Sequence, residues 1–171
     1  MKLNRALIVL VIALAIALVV VVASTLQPRI VEAGDTAPDF KVVTDQGDTI
    51  TRAQFGGKLL VLNFWATWCP PCIEEAPSLD QFQREYGPKG VVVVAVSIDR
   101  NEKLYRQFLA RTSPSFQTFR DPSADISESY GTFQIPETYI IDRSGKVLEK
   151  VISNQNWMDP EFLKRVQQWL S

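Results

Sequence analysis

Histidine is absent from this chain of 171 residues, and cysteine occurs only twice. A zinc site needs about four ligands, so no metal cofactor is expected, although carboxylates leave one possible. The formal net charge is −1 and no run of like charge stands out. Nucleic acid is therefore not expected as a partner, because phosphate binding needs a basic face.

The two cysteines are Cys69 and Cys72, separated by two prolines and preceded by Trp68. Closing so short a loop stabilises a fold by about 2 kcal/mol, against about 3 to 5 kcal/mol for loops of roughly 15 to 100 residues. A structural bridge would therefore be more useful elsewhere, and a pair that opens and closes during chemistry is favoured. A static disulfide, or two inert buried thiols, is the alternative.

Alternating apolar segments and helical patterns predict an α/β fold. Nearly all-apolar segments at 59–65 and 91–98 predict strands buried on both faces of a sheet. Helices are predicted from Cys69, at 102–110, at 126–130 and at 159–170, and a further short strand at 116–119. Hairpins near both ends of the domain, at 39–51 and 137–152, make the predicted sheet mixed and covered by helices on both faces.

The start of the predicted helix assigns different roles to the two thiols. Cys69 would face unpaired backbone N–H groups and the positive end of the helix dipole, which favour a thiolate. Only a thiolate attacks a disulfide, so Cys69 is the predicted nucleophile. Cys72, one turn inside the helix, is the predicted resolving cysteine that breaks the mixed disulfide and releases the reduced substrate.

The N-terminus carries an apolar run at 6–23, preceded by Lys2 and Arg5. As a helix this run would be about 27 Å long, close to the roughly 30 Å of bilayer hydrocarbon. A cleaved signal peptide is the alternative, but apolar regions of signal peptides usually span about 7 to 15 residues. We therefore predict a cytoplasmic N-terminus at 1–5, a transmembrane anchor at 6–23, a tether at 24–34 and a catalytic domain at 35–171 outside the cytoplasm.

Three motifs carry a family resemblance: NFWATWCPPC at 63–72, APDF at 37–40 and IPETYIID at 135–142. Together with the apolar N-terminus they resemble the TlpA/ResA/CcmG (DsbE) branch of thioredoxin-like proteins. Its members are membrane-anchored, extracytoplasmic thiol:disulfide oxidoreductases. The resemblance implies a thioredoxin-like fold with an N-terminal hairpin and a central helix–strand insertion.

The resemblance also suggests residues around the dithiol. It implies that Ile135–Pro136 is a cis peptide bond beside the cysteines, whose Ile135 backbone pairs with an extended substrate peptide. The sequence itself supports only an X-Pro turn before a strand. Trp68 resembles the substrate-facing tryptophan of the family.

Two carboxylates have open interpretations. Glu75, one helical turn after Cys72, matches a glutamate that tunes thiol acidity in ResA-like members, or it is a solvated helix carboxylate. Glu137 resembles an acidic position of CcmG-like members and either selects positively charged substrate segments or faces water. Asn63 and Ala95 stand where cytoplasmic thioredoxin has its buried aspartate and partner lysine, which strengthens the case for Glu75.

The resemblance implies a reductase of disulfides in exported proteins, above all apocytochrome c, supplied with electrons by a membrane transporter of the CcdA or DsbD kind. The redox direction rests on the resemblance alone. A peroxiredoxin-type thiol peroxidase is one alternative, because APDF occurs there too, although the P-x-x-x-T-x-x-C pattern is absent. A Sco-like copper-handling module is another, although Sco-like proteins use C-x-x-x-C and a histidine that this chain lacks.

Overall fold

The computed structural model describes residues 4–26 and 30–171, with the backbone alone for residue 6 and residues 23–26. Helix α1 spans Arg5–Leu26, and its described side chains are exposed. Among the described residues, no helix combines the length and the hydropathy that a bilayer crossing requires. Residues 1–3 of the predicted cytoplasmic segment and 27–29 of the predicted tether lie outside the described residues. The anchor stays a prediction.

The elements that follow α1 agree with the predicted strands and helices, with ends that differ by one or two residues. A 3₁₀ turn, Gly87–Lys89, follows the second helix. The elements are β1 Lys41–Val43, β2 Thr49–Thr51, β3 Leu59–Trp65, α2 Pro70–Tyr86, β4 Val91–Ser97, α3 Glu102–Thr112, β5 Gln117–Arg120, α4 Asp125–Ser129, β6 Glu137–Asp142, β7 Val147–Ile152 and α5 Pro160–Leu170.

The central sheet has the strand order β5-β4-β3-β6-β7. Strands β3, β4 and β5 run parallel, while β6 and β7 pair antiparallel to their neighbours. Strands β1 and β2 form a separate antiparallel hairpin. The prediction of a mixed α/β sheet with an N-terminal hairpin is therefore confirmed.

Strand β3 shows why both faces of this sheet are apolar. All seven of its residues are buried. Leu59, Val61 and Trp65 point to the core shared with α2, α3 and α5. The alternate residues Leu60 and Leu62 belong to the second core, which includes the hairpin. Since successive side chains of a strand point to opposite faces, a strand covered on both sides is apolar throughout.

The topology brings three separate chain segments to one edge of the sheet. Because β6 runs antiparallel to β3, its first residue Glu137 pairs with Phe64 near the end of β3. Strand β4 is parallel to β3, so Ser97 pairs with Trp65 at the same end. The loop before α2, the end of β4 and the segment before β6 therefore meet there.

The predicted helix–strand insertion corresponds to α3 and β5. Strand β5 extends the sheet beyond β4 in parallel. Tyr105 and Phe108 of α3 are buried against Trp65, with ring centroids 6.1 Å and 4.8 Å away. Helix α3 therefore covers part of the sheet face that carries α2.

Candidate active site

The first thiol caps the helix that follows it. Cys69 is the N-cap of α2, so the helix begins at Pro70, one residue later than predicted. The two prolines fall in the first turn, where a missing N–H group costs no helical hydrogen bond. The backbone N–H of Cys72 points at the Cys69 sulfur, with N and Sγ 3.3 Å apart. This N–H group and the helix dipole favour a thiolate at Cys69.

Cys69 and Cys72 form a disulfide in this structure, with Cα atoms 5.3 Å apart. Both residues are buried, at 4% and 2% exposure. Exposure alone therefore does not distinguish the nucleophile from the resolving thiol. Their positions in the helix do distinguish them, because Cys69 is the N-cap of α2 and Cys72 lies inside its first turn.

A buried carboxylate holds the loop that precedes Cys69. Asp99, which follows β4, is 1% exposed. Its two oxygens accept the backbone N–H of Thr67 at 2.9 Å and the Thr67 hydroxyl at 2.7 Å. The Ser97 hydroxyl donates a third hydrogen bond to Asp99 at 2.7 Å. The end of β4 thus fixes the backbone two residues before Cys69, the predicted nucleophile.

The segment before β6 lies beside the dithiol. The Ile135–Pro136 peptide bond is cis, as the family resemblance implies. The Ile135 carbonyl oxygen lies 3.6 Å from the Cys69 sulfur. The structure therefore places Ile135 and Pro136 next to the reacting atom.

Glu75 is buried, with 3% exposure. Its Oε1 accepts a hydrogen bond from Asn63 Nδ2 at 2.9 Å. Its Oε2 accepts the Trp157 indole N–H and the Gln155 backbone N–H, each at 3.3 Å. Burial raises the pKa of Glu75 to about 7, although these hydrogen bonds act in the lowering direction. The alternative of a solvated helix carboxylate is wrong, and Glu75 can exchange a proton near neutral pH.

Asn63 and Ala95 lie side by side, paired in the register of β3 and β4. The amide of Asn63 donates one hydrogen bond to Glu75 and another to the Thr138 hydroxyl at 2.8 Å. Asn63 is therefore more than a core amide, because it orients the carboxyl group of Glu75.

Glu137 is completely buried because β6 lies between β3 and β7. Its Oε1 accepts the Tyr139 hydroxyl and lies 3.1 Å from Lys150 Nζ. The buried Lys150 amine also reaches Glu32 at 3.2 Å. Contact with a positively charged substrate and exposure to water both require an accessible carboxylate, so this placement contradicts both interpretations. Glu137 instead forms an interior ion pair directly after Pro136.

Two exposed aromatic side chains, Trp68 and Phe133, line one surface cavity together with Ile135. Trp68 is 62% exposed and Phe133 is 72% exposed. Two surface cavities of about 460 and 360 Å³ share Trp68, Ile98 and Glu128 in their walls, and Ile135 lines the smaller one. The two cavities beside Trp68 therefore combine apolar side chains with the charged residues Asp99, Arg100 and Glu128.

Sequence reasoning missed the partners that hold the site together, chiefly Asp99, Trp157 and Lys150. Asp99 had a usable signal, because it follows β4 and the ends of parallel strands meet at one sheet edge. Lys150 lies in the predicted hairpin at 137–152, but no sequence pattern marks its side chain as buried. Trp157 had no signal, since it lies about 80 residues after Glu75. Among the described residues, no group of three or more Cys, Asp or Glu side chains could hold a metal ion. The expectation of no metal cofactor stays a prediction.

Comparisons with known proteins agree with this site. Residues 33–150 match the AhpC/TSA family. The thiol-disulfide oxidoreductase ResA of Bacillus thuringiensis subsp. konkukian is 32% identical over 136 residues, covering 79% of each chain. The thioredoxin-like protein YneN of Bacillus subtilis is 37% identical over 120 residues, covering 68% of this chain and 69% of YneN.

A solved structure shows the same fold. The Chlorobium tepidum protein named as thiol:disulfide interchange protein DsbE superposes with a TM-score of 0.74 and 31% identity, covering 84% of this chain and 100% of that one. ResA and the Chlorobium tepidum protein are named for thiol:disulfide chemistry, and this chain carries a disulfide-forming cysteine pair at the start of α2. The chain therefore belongs to the TlpA/ResA/CcmG branch of the thioredoxin-like proteins and is a thiol:disulfide oxidoreductase.

Proposed function

We propose that this protein reduces disulfides in exported proteins outside the cytoplasm, with the haem-binding cysteine pair of apocytochromes c as its main substrate. The observation that carries the reductive direction is the charge around the dithiol. A pair becomes strongly oxidising when its surroundings stabilise the thiolate, as positive charge does. Here the nearby buried group is instead a carboxyl group, that of Glu75, one helical turn after Cys72. Its negative charge disfavours a thiolate and therefore favours a reducing pair.

The remaining charges near the dithiol are balanced or acidic. Asp99, Glu128 and Arg100 are the charged residues among those that line the cavities beside Trp68. Negative charge disfavours a thiolate, so only the N-terminus of α2 strongly supports it. The disulfide is then stable relative to the dithiol, and the reduced pair gives up its electrons readily.

Reduction of a substrate proceeds in two exchange steps. The Cys69 thiolate attacks one sulfur of the substrate disulfide, and the other substrate sulfur leaves with the bonding electron pair. Cys72 then attacks Cys69, which forms the intramolecular disulfide and releases the second substrate sulfur. Glu75 accepts the proton that Cys72 loses in this second step, because its pKa of about 7 suits proton exchange at neutral pH.

The surface around Cys69 supports a polypeptide substrate. Trp68, which directly precedes Cys69, and Phe133 offer exposed apolar area in the walls of one cavity. The Ile135 carbonyl oxygen, 3.6 Å from the Cys69 sulfur, can accept a backbone N–H from an extended peptide. An unfolded apocytochrome c segment presents its cysteine pair in such a conformation.

The apolar run at 6–23 supports the location outside the cytoplasm, and its described side chains in α1 are exposed. Lys2 and Arg5 support a cytoplasmic N-terminus by the positive-inside tendency. A membrane thiol transporter of the CcdA or DsbD kind then re-reduces the protein. Accessibility to protease of the domain in intact spheroplasts tests this placement, and full protection of the domain would contradict it.

Trapping tests the substrate class. The full-length Cys72→Ser variant, expressed in its own membrane, is expected to accumulate mixed disulfides between Cys69 and apocytochromes c. A Cys69→Ser variant is the matched control and is expected to capture none. Adducts with other exported proteins but no cytochrome would overturn the substrate, and no adduct despite wild-type activity would overturn the mechanism.

Equilibration with glutathione tests the redox direction. We expect the Cys69–Cys72 pair to have a reduction potential below about −250 mV.

A thiol peroxidase is the second candidate, because residues 33–150 match the AhpC/TSA family and APDF lies within them. Peroxide consumption with a thiol donor separates the two functions. We expect none above the background of Cys69→Ser. Turnover of peroxide comparable with disulfide reduction would favour the peroxidase.

A further inference from the structure

The smaller of the two cavities beside Trp68 combines an apolar lining with one charged side chain. Its volume is about 360 Å³, and its wall includes Ile135, whose carbonyl oxygen lies 3.6 Å from the Cys69 sulfur. Among the described residues that line it, Glu128 alone is charged. The large apolar side chains of the wall are Trp68, Ile98, Phe133 and Ile135. A peptide whose disulfide meets Cys69 therefore has a neighbouring side chain beside this cavity.

The carboxylate of Glu128 has no partner within residues 4–26 and 30–171. Its side chain is exposed and makes no hydrogen bond or ion pair there. Asp99 does not compete for a cation, since it is 1% exposed and its oxygens accept hydrogen bonds from Thr67 and Ser97. Arg100 lines the larger cavity but not the smaller one. The smaller cavity therefore carries one uncompensated negative charge.

The short helix α4 that carries Glu128 is fixed on both sides. The buried carboxylate of Asp121 accepts the backbone N–H of Ile126 at 2.8 Å. The backbone N–H of Thr132 donates to the Ser127 carbonyl oxygen at 3.0 Å. These bonds hold the backbone on either side of Glu128, so less conformational freedom is lost when a ligand binds its carboxylate.

A basic side chain matches this combination of walls. Lysine and arginine lay an apolar stem along apolar surface and keep the charged end at its edge. A cation also binds favourably over the face of an indole ring such as that of Trp68. An acidic side chain is repelled by Glu128, and a purely apolar one leaves the carboxylate without a partner.

We propose that this cavity is a subsite for a lysine or arginine side chain that lies close to the attacked cysteine of the substrate, and that Glu128 determines this preference. The proposal names a substrate feature for the proposed function and rests on that function. The stem of the basic side chain lies along Trp68 and Phe133, and its charged end pairs with Glu128. No bond forms or breaks in the subsite, so the two exchange steps at Cys69 are unchanged.

Peptides that differ at one position test the subsite. Each peptide carries one cysteine in a disulfide with a coloured aromatic thiol, which leaves when Cys69 of the reduced protein attacks the peptide sulfur. Lysine, norleucine or glutamate is placed in turn at each position flanking the cysteine. At one position we expect wild type to react about fivefold faster with the lysine peptide than with the norleucine peptide. High salt should reduce this ratio, because the ion pair is exposed.

Substitutions of Glu128 assign the preference to its charge. We expect Glu128→Gln to lower the ratio to about one, and Glu128→Lys to favour the glutamate peptide over the lysine peptide. The ratio cancels any effect of these substitutions on the Cys69 thiolate, which acts on all peptides alike. Asp125→Asn is the matched control, since it removes the same charge from α4 but lines neither cavity. It should retain the wild-type ratio.

Three results would overturn the subsite: no lysine preference of wild type at any position, an unchanged ratio in Glu128→Gln, or an equal loss in Asp125→Asn. Equal rates with all peptides remove the subsite and leave the reductase intact. The aromatic thiol is a good leaving group, so the ratio is measured whatever the reduction potential of the protein. The preference for lysine therefore stands or falls separately from the redox direction, which equilibration with glutathione tests.

Discussion

The indole N–H of Trp157 donates a hydrogen bond to Oε2 of Glu75 at 3.3 Å, across 82 residues of chain. Trp157 is completely buried and lies just before α5, whereas Glu75 lies on the helix that carries the dithiol. The contact therefore ties the C-terminal part of the domain to the cysteine pair. The proton affinity of the active site depends on packing far away in sequence.

Replacing Glu75 changes how stability depends on pH. Burial raises the pKa of Glu75 from 4.5 to about 7, so between these values the native state holds a proton that the unfolded state has released. The free energy of unfolding therefore falls as pH rises through this window, by about 3 kcal/mol in total. Denaturant unfolding of the oxidised protein at about pH 4.5 and about pH 8 is expected to show this fall in wild type and not in Glu75→Gln. The exposed neighbour Glu74 provides the control, because Glu74→Gln should retain the fall in the free energy of unfolding with pH.

Removing the indole N–H donor of Trp157 destabilises the ionised form of Glu75 relative to its protonated form. The hydrogen bond from Trp157 lowers the pKa of Glu75, so Trp157→Phe raises it further. The smaller ring also destabilises the fold by about 2 kcal/mol. We expect the pH midpoint of the second exchange step to move upward. Trp169→Phe removes a partly buried indole that packs on Phe162, and it should leave the midpoint unchanged.

The Thr67 hydroxyl matters for the nucleophile rather than for the core. Thr67→Val keeps the shape and the backbone contact but removes the 2.7 Å hydrogen bond to Asp99. We expect a loss of about 1 kcal/mol in the free energy of unfolding and a slower first exchange step. Thr112→Val loses a similar hydroxyl contact, to the Phe108 carbonyl on α3, and controls for stability alone. Equal first-step rates in the two variants would rule out positioning by Asp99.

The interior ion pair after Pro136 is sensitive to the loss of one partner. Lys150→Met leaves the Glu137 carboxylate buried without its cation, which costs about 3 to 5 kcal/mol. The double variant Lys150→Met, Glu137→Gln should recover most of this loss in thermal unfolding. Glu32→Gln removes only the outer, exposed partner of Lys150 and should cost less than about 1 kcal/mol. No recovery in the double variant would mean that Lys150 acts through packing.

We expect the exposed aromatic side chains Trp68 and Phe133 to contribute to substrate binding rather than to stability. Trp68→Ala and Phe133→Ala remove side chains that are 62% and 72% exposed, so the free energy of unfolding should change by less than about 0.5 kcal/mol. We expect kcat/KM to fall by about tenfold for a polypeptide disulfide and to stay unchanged for oxidised glutathione. An equal loss for both substrates would indicate damage to the dithiol itself.

Strand β3 and the dithiol are features that the sequence alone predicts. An unbroken apolar run predicts a strand covered on both faces, and β3 is buried throughout. The spacing of Cys69 and Cys72 after that strand predicts a redox pair at a helix start, and the disulfide lies there. These features depend on neighbouring residues, and local patterns report them.

The environments of Glu75 and Glu137 are features that the sequence alone does not predict. Each had a solvated interpretation, and both are buried with partners from other elements, Trp157 for Glu75 and Lys150 of β7 for Glu137. Burial of a carboxyl group depends on the residues that cover it. Gln155, which contacts Glu75, lies 80 positions along the chain, and Lys150, which contacts Glu137, lies about 13 positions along.

The sequence by itself determined the chemistry of this protein, because two thiols one helical turn apart suffice to define disulfide exchange. Only the tertiary structure decided that Glu75 is a buried carboxyl group with a raised pKa and that Glu137 forms an interior ion pair. Proton affinity is set by desolvation and hydrogen bonds, and these exist only after β3, α2 and the segment before α5 have packed together.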